Sequence, residues 1–497
     1  MFLTLCAIVV LTFLIYALNE HLSYWVKNGV PQYTVSKILR DHFVALTKSE
    51  AVALVFHNYC TSFENERYFG IYQLFKRSLV VLDPKLVKKI TIKDFHHFVD
   101  HELFSTGNEP LWDKNVFALH GKEWKGMRMI LNPSFSGRKL RLMFELILKN
   151  ADQFVKHFET RLGNERCVEV EVSDVFNKFA GDVIASIAFG YECDSLQNPK
   201  NVFYTNSHLA LPQHTFLDNF KLFLILNAPK IARFFGFEFY GTAGSSFFLD
   251  IMTKNVKERK EKGIMRHDII NLLMAGNIND VDITAQALFF FLAGIETVSS
   301  VLTFMSYELA INVDIQKRLQ EEVNDTLKNC EGPITYDVIK TMKYMDMVVS
   351  ESLRKWPAAV ITDRVCTKPY VIEPEKPGEV SVHLKKGDLL WIPIYTIHRN
   401  PSLYPNPEQF NPERFNEQNK SNFNPYAYLP FGSGPRMCIA SRLARAEIKL
   451  LFLKILSRFN IVTVDRTFIP IRLGKYSTQM LPEAGFILGF ERRINKE

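Results

Sequence analysis

The chain has 497 residues, of which 47% are hydrophobic and 23% charged, which is the composition of an ordinary globular protein. Its net charge of +7 is small for this length. No basic run interleaved with aromatic residues is present, which argues against nucleic-acid binding. The seven cysteines are scattered and form no C-x-x-C pair, which excludes a disulfide scaffold and a zinc ribbon.

The N-terminus carries an uncharged apolar run from Phe2 to Leu18. As a helix this run spans about 25 Å, which nearly crosses a bilayer. No basic residue precedes it and no small-x-small cleavage site ends it, so residues 1–20 are predicted to be an uncleaved membrane anchor rather than a signal peptide. Lysine and arginine outnumber acidic residues from there to Glu50, which predicts that the body of the chain lies on the cytosolic side.

Residues 21–33 are predicted to be a hinge between this anchor and the rest of the chain. Tyr24 and Trp25 suit the lipid interface, and Gly29 with Pro31 ends the helix. No repeat, low-complexity stretch or long flexible linker follows. Residues 34–497 are therefore predicted to form one domain.

The body reads as mainly helical. A strand pair is predicted at Phe69–Leu74 and Ser78–Leu82, and a β-rich patch at Tyr370–Pro393. The longest helix is predicted from about Asp282 to Asn312, and because it is apolar over about 45 Å it should run through the interior. The expected fold class is mainly α with small β-sheets, that is, α+β.

The stretch from Phe431 to Ile439 is the most informative. Gly432, Gly434 and Pro435 give a rigid turn that delivers Cys438 to the start of a helix predicted at Ala440–Leu456. A helix N-terminus stabilises a thiolate, which suits a metal ligand, and Arg436 is placed to neutralise a carboxylate of a cofactor. The alternative is a glycine-rich loop around a buried cysteine.

A second group, Ala293-Gly294-Ile295-Glu296-Thr297, lies in the middle of the long helix. Glycine there costs roughly 1 kcal/mol relative to alanine, and threonine can bond back to the carbonyl four residues earlier and open the helix locally. Glu296 and Thr297 beside such a groove would hand protons to a bound oxygen species. The alternative is an incidental glycine and a back-bonded threonine in a buried helix.

A third group begins with Glu351 and Arg354, which lie on one helical face and can pair at i, i+3. The pattern E-x-x-R alone is common. It gains weight from Arg364 ten residues on, and from Pro412-Glu413-Arg414-Phe415 shortly before the cysteine loop.

Taken together, these motifs resemble the cytochrome P450 family over almost the whole chain. The sequences around Glu351 and Thr362 are most similar to those of insect microsomal members. The motifs that carry the resemblance are, in order, the anchor with its proline hinge, Trp124-x-x-x-Arg128, Ala293-Gly294-x-Glu296-Thr297, Glu351-x-x-Arg354, Pro412-Glu413-Arg414-Phe415 and Phe431 to Cys438.

The resemblance implies a role for each site residue. Cys438 would be the thiolate ligand of the iron of haem b, and Glu296 and Thr297 would manage protons on the opposite side of the haem. Glu351, Arg354 and Arg414 would form a buried charge network that serves folding. The other residues implied to hold the haem are Trp124, Arg128, Arg364 and Arg436 at its propionates, and Ala293 and Phe431 beside it.

Two residues depart from the family pattern. Ala440 stands two positions after the cysteine, where the family usually has a glycine. Its methyl group would crowd the contact between helix and porphyrin, and overpacking of this kind typically costs about 1–3 kcal/mol in stability. Met437 replaces an asparagine that often precedes the cysteine.

The resemblance further implies a membrane-bound monooxygenase of the endoplasmic reticulum that faces the cytosol and uses O2 on a lipophilic substrate. No flavin or nicotinamide motif is present, so electrons would come from NADPH-cytochrome P450 reductase, docked on a basic face formed by Arg442, Arg445 and Lys449. The alternatives are a haem-thiolate isomerase or dehydratase and a non-enzymatic haem or lipid binder.

Substrate contacts are expected at Phe104–Phe117, Leu292 and Ala293, Ala358–Ile361 and Ser477–Met480.

Overall fold

A computed structural model of the chain describes residues 2–34, 36–37, 40, 50–73, 76–102, 109–210, 216–238, 242–266, 268–276, 278–422, 424–474, 480–483 and 485–493. It is 57% helical, and its strands form small separate sheets, which confirms the predicted mainly α fold. The α-helices are Phe2–Leu22 (α1), Tyr24–Lys27 (α2), Val52–Thr61 (α3), Pro84–Lys88 (α4), Pro110–Asp113 (α5), Gly121–Leu131 (α6), Gly137–Leu162 (α7), Val172–Ile184 (α8), Val202–Ala210 (α9), Phe216–Asn227 (α10), Pro229–Phe234 (α11), Thr242–Lys262 (α12), Ile269–Ala275 (α13), Asp280–Ile311 (α14), Val313–Lys328 (α15), Tyr336–Thr341 (α16), Lys343–Lys355 (α17), Ile394–Ile397 (α18) and Ser441–Arg458 (α19).

The strands form three sheets. The largest has the order β1-β2-β7-β4, in which β2 and β7 are parallel and the other pairs antiparallel. The others have the orders β3-β9-β8 and β5-β6. The strands are Tyr68–Gln73 (β1), Lys76–Val81 (β2), Cys167–Glu171 (β3), Thr362–Val365 (β4), Tyr370–Ile372 (β5), Val382–Leu384 (β6), Leu389–Ile392 (β7), Phe459–Val462 (β8) and Ile487–Arg492 (β9).

These strands confirm the predicted β segments. The predicted pair is the antiparallel β1–β2 ladder, each strand shifted by one or two residues toward the N-terminus, and the predicted patch contains β5, β6 and β7. All seven cysteines are unpaired, in agreement with the prediction that the chain is no disulfide scaffold.

The central helix α14 organises the core. Its start is fixed by Asn279, whose side chain accepts a hydrogen bond from the Asp282 N–H at 2.8 Å. Its 32 residues span about 48 Å, and most of them are buried in the larger of two apolar clusters. The prediction of a long interior helix is confirmed, with both ends within two residues of the predicted ones.

Among the residues that the structure describes, two helices are long and apolar enough to cross a membrane. The central helix α14 is one of them, but 72% of its apolar window is buried inside the protein, as in the core helix of a globular domain. The other is α1, of which 0% is buried. Of its apolar side chains, Leu22 at the C-terminal end packs against the smaller apolar cluster, whereas the large ones described from Leu5 to Leu18 are exposed.

The segment after α1 is packed rather than extended. Trp25 is only 3% exposed and joins the smaller apolar cluster beneath the largest sheet. The expectation that Trp25 lies at the lipid interface is therefore wrong: an interfacial residue would keep its ring open to lipid, whereas this ring is covered by β1. Residues 21–33 are thus joined to the sheet rather than free of it.

Candidate active site

The loop that carries Cys438 has a conformation that only glycine permits at two points. Gly432 and Gly434 have φ values of +72° and +73°, where L side chains are strained. A β-carbon on Gly434 would lie 1.8 Å from the carbonyl oxygen of Thr91. The Cys438 N–H donates to the Phe431 carbonyl at 2.9 Å, which closes the loop and fixes the position of the cysteine.

The Cys438 side chain faces an interior space. Its surface is accessible, yet burial raises the pKa of its thiol, so the accessible surface is enclosed by protein. The Ala440 N–H, the Arg128 charge and the Ser441 N–H oppose that rise. The helix start predicted to favour the thiolate does act in that direction, but burial outweighs it because α19 begins only at Ser441.

Three guanidinium groups converge on this loop. Arg128 donates from Nη2 to the Met437 carbonyl at 2.7 Å, and Arg364 donates from Nη2 to the Ser433 carbonyl at 3.2 Å. Arg436 lies over the ring of Trp124 at 4.1 Å. The structure thus brings together the four residues that the sequence predicted at the cofactor carboxylates.

Arg436 is largely occupied by protein acceptors. It donates to the carbonyls of Val99 at 2.8 Å and Leu119 at 2.7 Å, and lies 3.4 Å from Oδ1 of Asp100. Burial lowers its pKa to about 9, against the raising effect of Asp100. Arg436 therefore braces the cysteine loop against residues 99–119, a role that its place in the sequence does not indicate.

The buried pair of His101 and Asp363, next to Arg364, was not predicted from the sequence. His101 Nδ1 lies 2.8 Å from Oδ1 of Asp363, and the Glu102 N–H donates to the other oxygen at 2.7 Å. Burial lowers the pKa of His101 to about 4, although Asp363 opposes this, so the ring is neutral at pH 7. The only sequence signal was the acidic residue directly before Arg364.

The middle of α14 has one open side. Phe289, Ala293, Glu296 and Thr297 are half-buried in a helix whose other residues there are mostly buried, and their spacing places them on one helical face. Thr297 Oγ1 donates to the Ala293 carbonyl at 2.5 Å, which confirms the predicted back-bond. This face gives α14 an accessible interior surface.

Gly294 has a different role from the one predicted. The helix is continuous through it, so no opening of the helix forms the groove. A β-carbon on Gly294 would lie 3.1 Å from Cγ1 of Ile184, tighter than ordinary packing. The glycine instead permits the close approach of α8 to α14.

Glu296 is an acid near neutrality. Burial raises its pKa to about 7, and no ion pair to its carboxylate is found among the residues described. A carboxyl group with this pKa both donates and accepts protons at pH 7. The predicted proton-handling residue therefore has the acidity that such a role requires.

The Glu351 network is present as predicted. Arg354 donates to both oxygens of Glu351, at 2.7 and 2.9 Å, and Arg414 Nε lies 3.4 Å from the same carboxylate. Arg354 also donates to the carbonyls of His398 and Pro407. Because Glu351 and Arg354 are fully buried, this pair joins α17 to the segment that leads to the cysteine loop.

The predicted basic face on α19 is wrong in two of its three residues. Lys449 is buried and pairs with Asp346 at 2.8 Å, and Arg445 is half-buried and donates to Ser350 and Tyr428. Only Arg442 is exposed. An i, i+4 pattern of basic residues resembles a solvated face, but here an acid on α17 covers it.

The residues predicted to contact the substrate differ in their exposure. Phe117, Ala293 and Ile361 are half-buried and Ala359 is exposed, whereas Leu292, Ala358 and Met480 are buried. Residues 104–108 and 477–479 lie outside the described residues. The stacked rings of Phe117 and Phe289, 5.9 Å apart, make the accessible side of α14 partly aromatic.

The arginine cluster has unused capacity for an anion. Three cationic side chains face two carboxylates, Asp100 and Asp363, and Nε of Arg364 is buried without a partner in the described part of the chain. Burial lowers the pKa of Arg364 to about 10, which a bound anion would offset. Beside them lies an accessible thiol, a soft metal ligand once deprotonated. These residues fit haem, which joins a metal to two carboxylates.

Comparison with known proteins identifies the family. Residues 42–490 match the family model "Cytochrome P450". The chain is 37% identical to "Cytochrome P450 9e2" of Blattella germanica over 98% of this chain and 97% of that protein. It is 35% identical to "Probable cytochrome P450 9f2" of Drosophila melanogaster over 86% and 87%, and 33% identical to "Probable cytochrome P450 6d4" of the same species over 99% of both.

The chain belongs to the cytochrome P450 family. It is therefore an oxidoreductase of the monooxygenase class, and the family implies a haem iron ligated by a cysteine thiolate, O2, a redox partner and a small-molecule substrate.

Proposed function

We propose that this protein is a membrane-bound monooxygenase that inserts one oxygen atom from O2 into a lipophilic substrate, with Cys438 as the thiolate ligand of haem b. The observation that carries the proposal is the accessible Cys438 thiol in a loop whose carbonyls accept hydrogen bonds from Arg128 and Arg364. Bound haem supplies the activation of O2. The overall reaction consumes the substrate, O2, two electrons and two protons, and yields the hydroxylated product and water.

The arginine cluster would hold the haem carboxylates. Arg364 is the principal candidate because its Nε is buried and unpartnered within the described residues. Arg128 and Trp124 lie on α6 beside it, and Arg436 keeps the loop in place. Phe431 would support the thiolate side through its carbonyl, which holds the Cys438 N–H.

The open side of α14 would form the opposite wall. Ala293 leaves space there because its side chain is a single methyl group. Thr297 presents its hydroxyl, and Glu296 has a pKa of about 7 from burial, so it exchanges protons readily at physiological pH. Together they would deliver the two protons that the reaction consumes.

A lipophilic substrate is favoured by the composition of this wall. Phe117 and Phe289 stack with planes 16° apart, and Ala359 and Ile361 add accessible apolar surface. Such a lining binds apolar ligands through buried area, with few polar groups to orient them. Toxicants, terpenoid or steroid hormones and the hydrocarbon chain of a fatty acid fit this apolar lining.

The monooxygenase assignment is tested against an isomerase or dehydratase by isotope labelling. The holoenzyme, reductase and NADPH are incubated under ¹⁸O₂ with a panel of lipophilic substrates. One labelled oxygen atom in the product, with turnover lost when reductase is left out, is the expected result. Unlabelled product formed without reductase would instead establish the electron-independent alternative.

We place the reductase site above the cysteine loop. Lys122 and Lys125 on α6 and Arg442 on α19 are exposed there, with Glu123 the acidic neighbour on α6. Arg128 of the same helix contacts the loop itself through Met437. Such a cationic surface suits an acidic flavoprotein, NADPH-cytochrome P450 reductase, and brings it within a short distance of the thiolate.

The docking site is tested by reversing its charge. The double variant Lys122→Glu with Lys125→Glu should raise the reductase concentration for half-maximal reduction about tenfold at low salt, while Lys254→Glu on α12 serves as the control. High salt should reduce the difference. Equal behaviour of the two variants would contradict this site.

Membrane attachment is supported by exposed apolar surface. The helix α1 has no buried window, and Phe234 at the end of α11 is 84% exposed. With more basic than acidic residues after α1, the body would face the cytosol on the endoplasmic reticulum. In intact microsomes, carbonate should leave the protein in the membrane and added protease should digest its body; release by carbonate would contradict anchoring.

A further inference from the structure

The join between the membrane helix and the body contains a buried tryptophan that lies against a glycine. A β-carbon on Gly70 would be 2.1 Å from Cγ of Trp25, so the indole occupies the space that any other residue at position 70 would fill. Trp25 Nε1 lies 3.3 Å from the Ile71 carbonyl as its hydrogen-bond donor. The indole of α2 is thus held directly on β1.

The chain then runs along β1 itself. The Gly70 N–H donates to the Pro31 carbonyl at 2.7 Å, and the Tyr33 N–H donates to the Gly70 carbonyl at 3.2 Å. Because β1 is the edge of its sheet, residues 31–33 cover part of an otherwise unpaired edge. The segment is therefore fixed by backbone as well as side-chain contacts.

Gln32 ties the two ends of this segment together. Its Nε2 donates to the Leu22 carbonyl, the last residue of α1, at 2.9 Å. Its Oε1 accepts from the Val26 N–H at 3.3 Å and from the Tyr72 hydroxyl at 3.2 Å. One side chain thus links the end of the membrane helix, α2 and β1.

Two ring contacts extend the attachment across the hairpin. The ring of His21, in α1, lies 5.2 Å from that of Tyr72 on β1, and Arg77 on β2 lies 3.9 Å over the ring of Tyr24. The end of α1 is therefore held by β1 and the adjoining α2 by β2, and a rotation of the two helices relative to the sheet would break these contacts together.

We propose that Trp25 on Gly70, locked by Gln32, fixes the angle between α1 and the catalytic domain and so holds that domain on the bilayer in one orientation. The proposal rests on the membrane function of α1 proposed above. Trp25 is a positioning residue: it touches neither the cysteine loop nor the open side of α14 among the contacts described. A free hinge would instead let the domain tilt on its anchor.

The test measures the orientation of the haem in the holoenzyme. The full-length protein is placed in oriented bilayers and the linear dichroism of its haem absorption is recorded. A fixed domain gives a strong dichroism at any tilt of the haem plane away from the magic angle, whereas a tilting domain gives a signal near the isotropic value. Trp25→Ala should lose most of the wild-type dichroism, and Gly70→Ala should do the same by displacing the indole.

Val26→Ala is the matched control. Val26 is the next residue on the same short helix, but its side chain is 62% exposed, so its removal should leave the dichroism unchanged. Gln32→Ala removes the three hydrogen bonds of the Gln32 side chain without opening the core and should give a partial loss. It carries the test should Trp25→Ala or Gly70→Ala fail to retain its Soret band and helical circular dichroism.

The outcomes separate this proposal from membrane anchoring. Full dichroism in folded Trp25→Ala, or in Gln32→Ala where that variant carries the test, overturns the proposal that Trp25 fixes the domain's orientation. It leaves the proposed membrane anchoring by α1 standing. A wild-type protein that stays in carbonate-washed membranes without dichroism, and whose ferric haem shows no orientation dependence of its electron paramagnetic resonance spectrum in the same bilayers, also overturns the proposal. Release of the wild-type protein by carbonate overturns the membrane function and this proposal with it.

Discussion

At the scale of single residues, the site depends on groups whose acidity or hydrogen bonding is set by burial. Thr297 is held by its bond to the Ala293 carbonyl, and Glu296 has its pKa raised to about 7 by burial. Neither residue contributes to the cysteine loop among the contacts described. Their replacement should therefore alter proton delivery without removing the cofactor.

Thr297→Ala removes the hydroxyl on the open side of α14. We expect NADPH and O2 consumption to continue while product per NADPH falls about tenfold. This fall corresponds to a loss of roughly 1.4 kcal/mol in the preference for product formation over uncoupled O2 reduction. Thr297→Ser keeps the hydroxyl and is the control. The measurement is product, peroxide and NADPH in the same reaction; a haem-loaded Thr297→Ala enzyme with full coupling would contradict the assignment.

Glu296→Gln tests the raised pKa. Below pH 7 the wild-type carboxyl group is protonated and can donate, and above pH 7 it progressively loses that proton, so coupling should fall as pH rises through about 7. The amide has no such transition. Coupling measured from pH 6 to pH 8.5 should change in the wild type and remain low and flat in Glu296→Gln; parallel profiles would rule out Glu296 as the titrating group.

The residue-scale predictions from sequence were accurate where a motif is local. The back-bond of Thr297 spans four residues of one helix, so the sequence predicts it. His101 and Asp363 come from segments more than 260 residues apart, so no local pattern reveals their pairing. The same holds for Arg436, whose carbonyl partners lie more than 300 residues earlier in the chain.

Ala440 has a backbone conformation that does not require glycine. Its backbone has φ −92° and ψ 9°, a conformation that any L residue adopts. Its N–H favours the Cys438 thiolate, as a glycine N–H there would. The backbone therefore gives no reason for glycine at this position.

At the scale of elements, buried charges determine how helices join. Glu351 accepts from Arg354, Arg414 and the Asn411 N–H, so it links α17 to the approach to the cysteine loop. Breaking a buried ion pair by removing one partner costs about 3–5 kcal/mol. These buried contacts hold α17 against the segment that leads to the cysteine loop.

Glu351→Gln should lower the urea midpoint of the holoenzyme substantially, because two guanidinium groups lose their counter-charge. Arg414→Gln is the comparison, since Arg414 makes only a 3.4 Å contact with the carboxylate and its loss should cost less. Circular dichroism follows the unfolding. Equal midpoint shifts in the two variants would mean that Glu351 is not the centre of the network.

A second buried acid lies on α19. Glu447 Oε1 has no hydrogen-bond partner in the described structure, and burial raises the pKa of this carboxyl group to about 8. The folded protein keeps the proton that the unfolded chain loses from about pH 4.5 upward. Stability should therefore decline as pH rises from about 4.5 to about 8.

Glu447→Gln should flatten that decline, because the amide is neutral throughout the range. The effect is worth a few kcal/mol between the ends of the range. Thermal unfolding midpoints from pH 5 to pH 8.5 measure it, with exposed Glu145→Gln on α7 as the control. A slope for Glu447→Gln as steep as that of Glu145→Gln would show that Glu447 does not hold the proton.

Elements with strong local signals were predicted to within about two residues. The central helix and α19 are long and apolar, and the β1–β2 pair has a strand pattern, so each was found from sequence. The basic face of α19 failed because Asp346 on another helix neutralises Lys449. Cross-element pairing of this kind depends on packing and has no signature within one helix.

At the scale of the whole molecule, two apolar clusters have separate tasks. The larger surrounds α14 and the site, and the smaller lies under the sheet that contacts α2 and the end of α1. Sequence predicted the anchor and the hinge as separate pieces. It did not predict that Trp25 joins them to the sheet, because the space above Gly70 exists only once β1 is folded.

The central claim is that Cys438 is the thiolate ligand of a haem in this chain. The difference spectrum of the reduced, CO-bound holoenzyme in membranes tests it directly, since a red-shifted Soret band marks thiolate-bound haem. The account predicts that band in the wild-type protein and its loss in haem-loaded Cys438→His. Haem-replete wild-type protein without the band, or a Cys438→His variant that keeps it, would contradict the account.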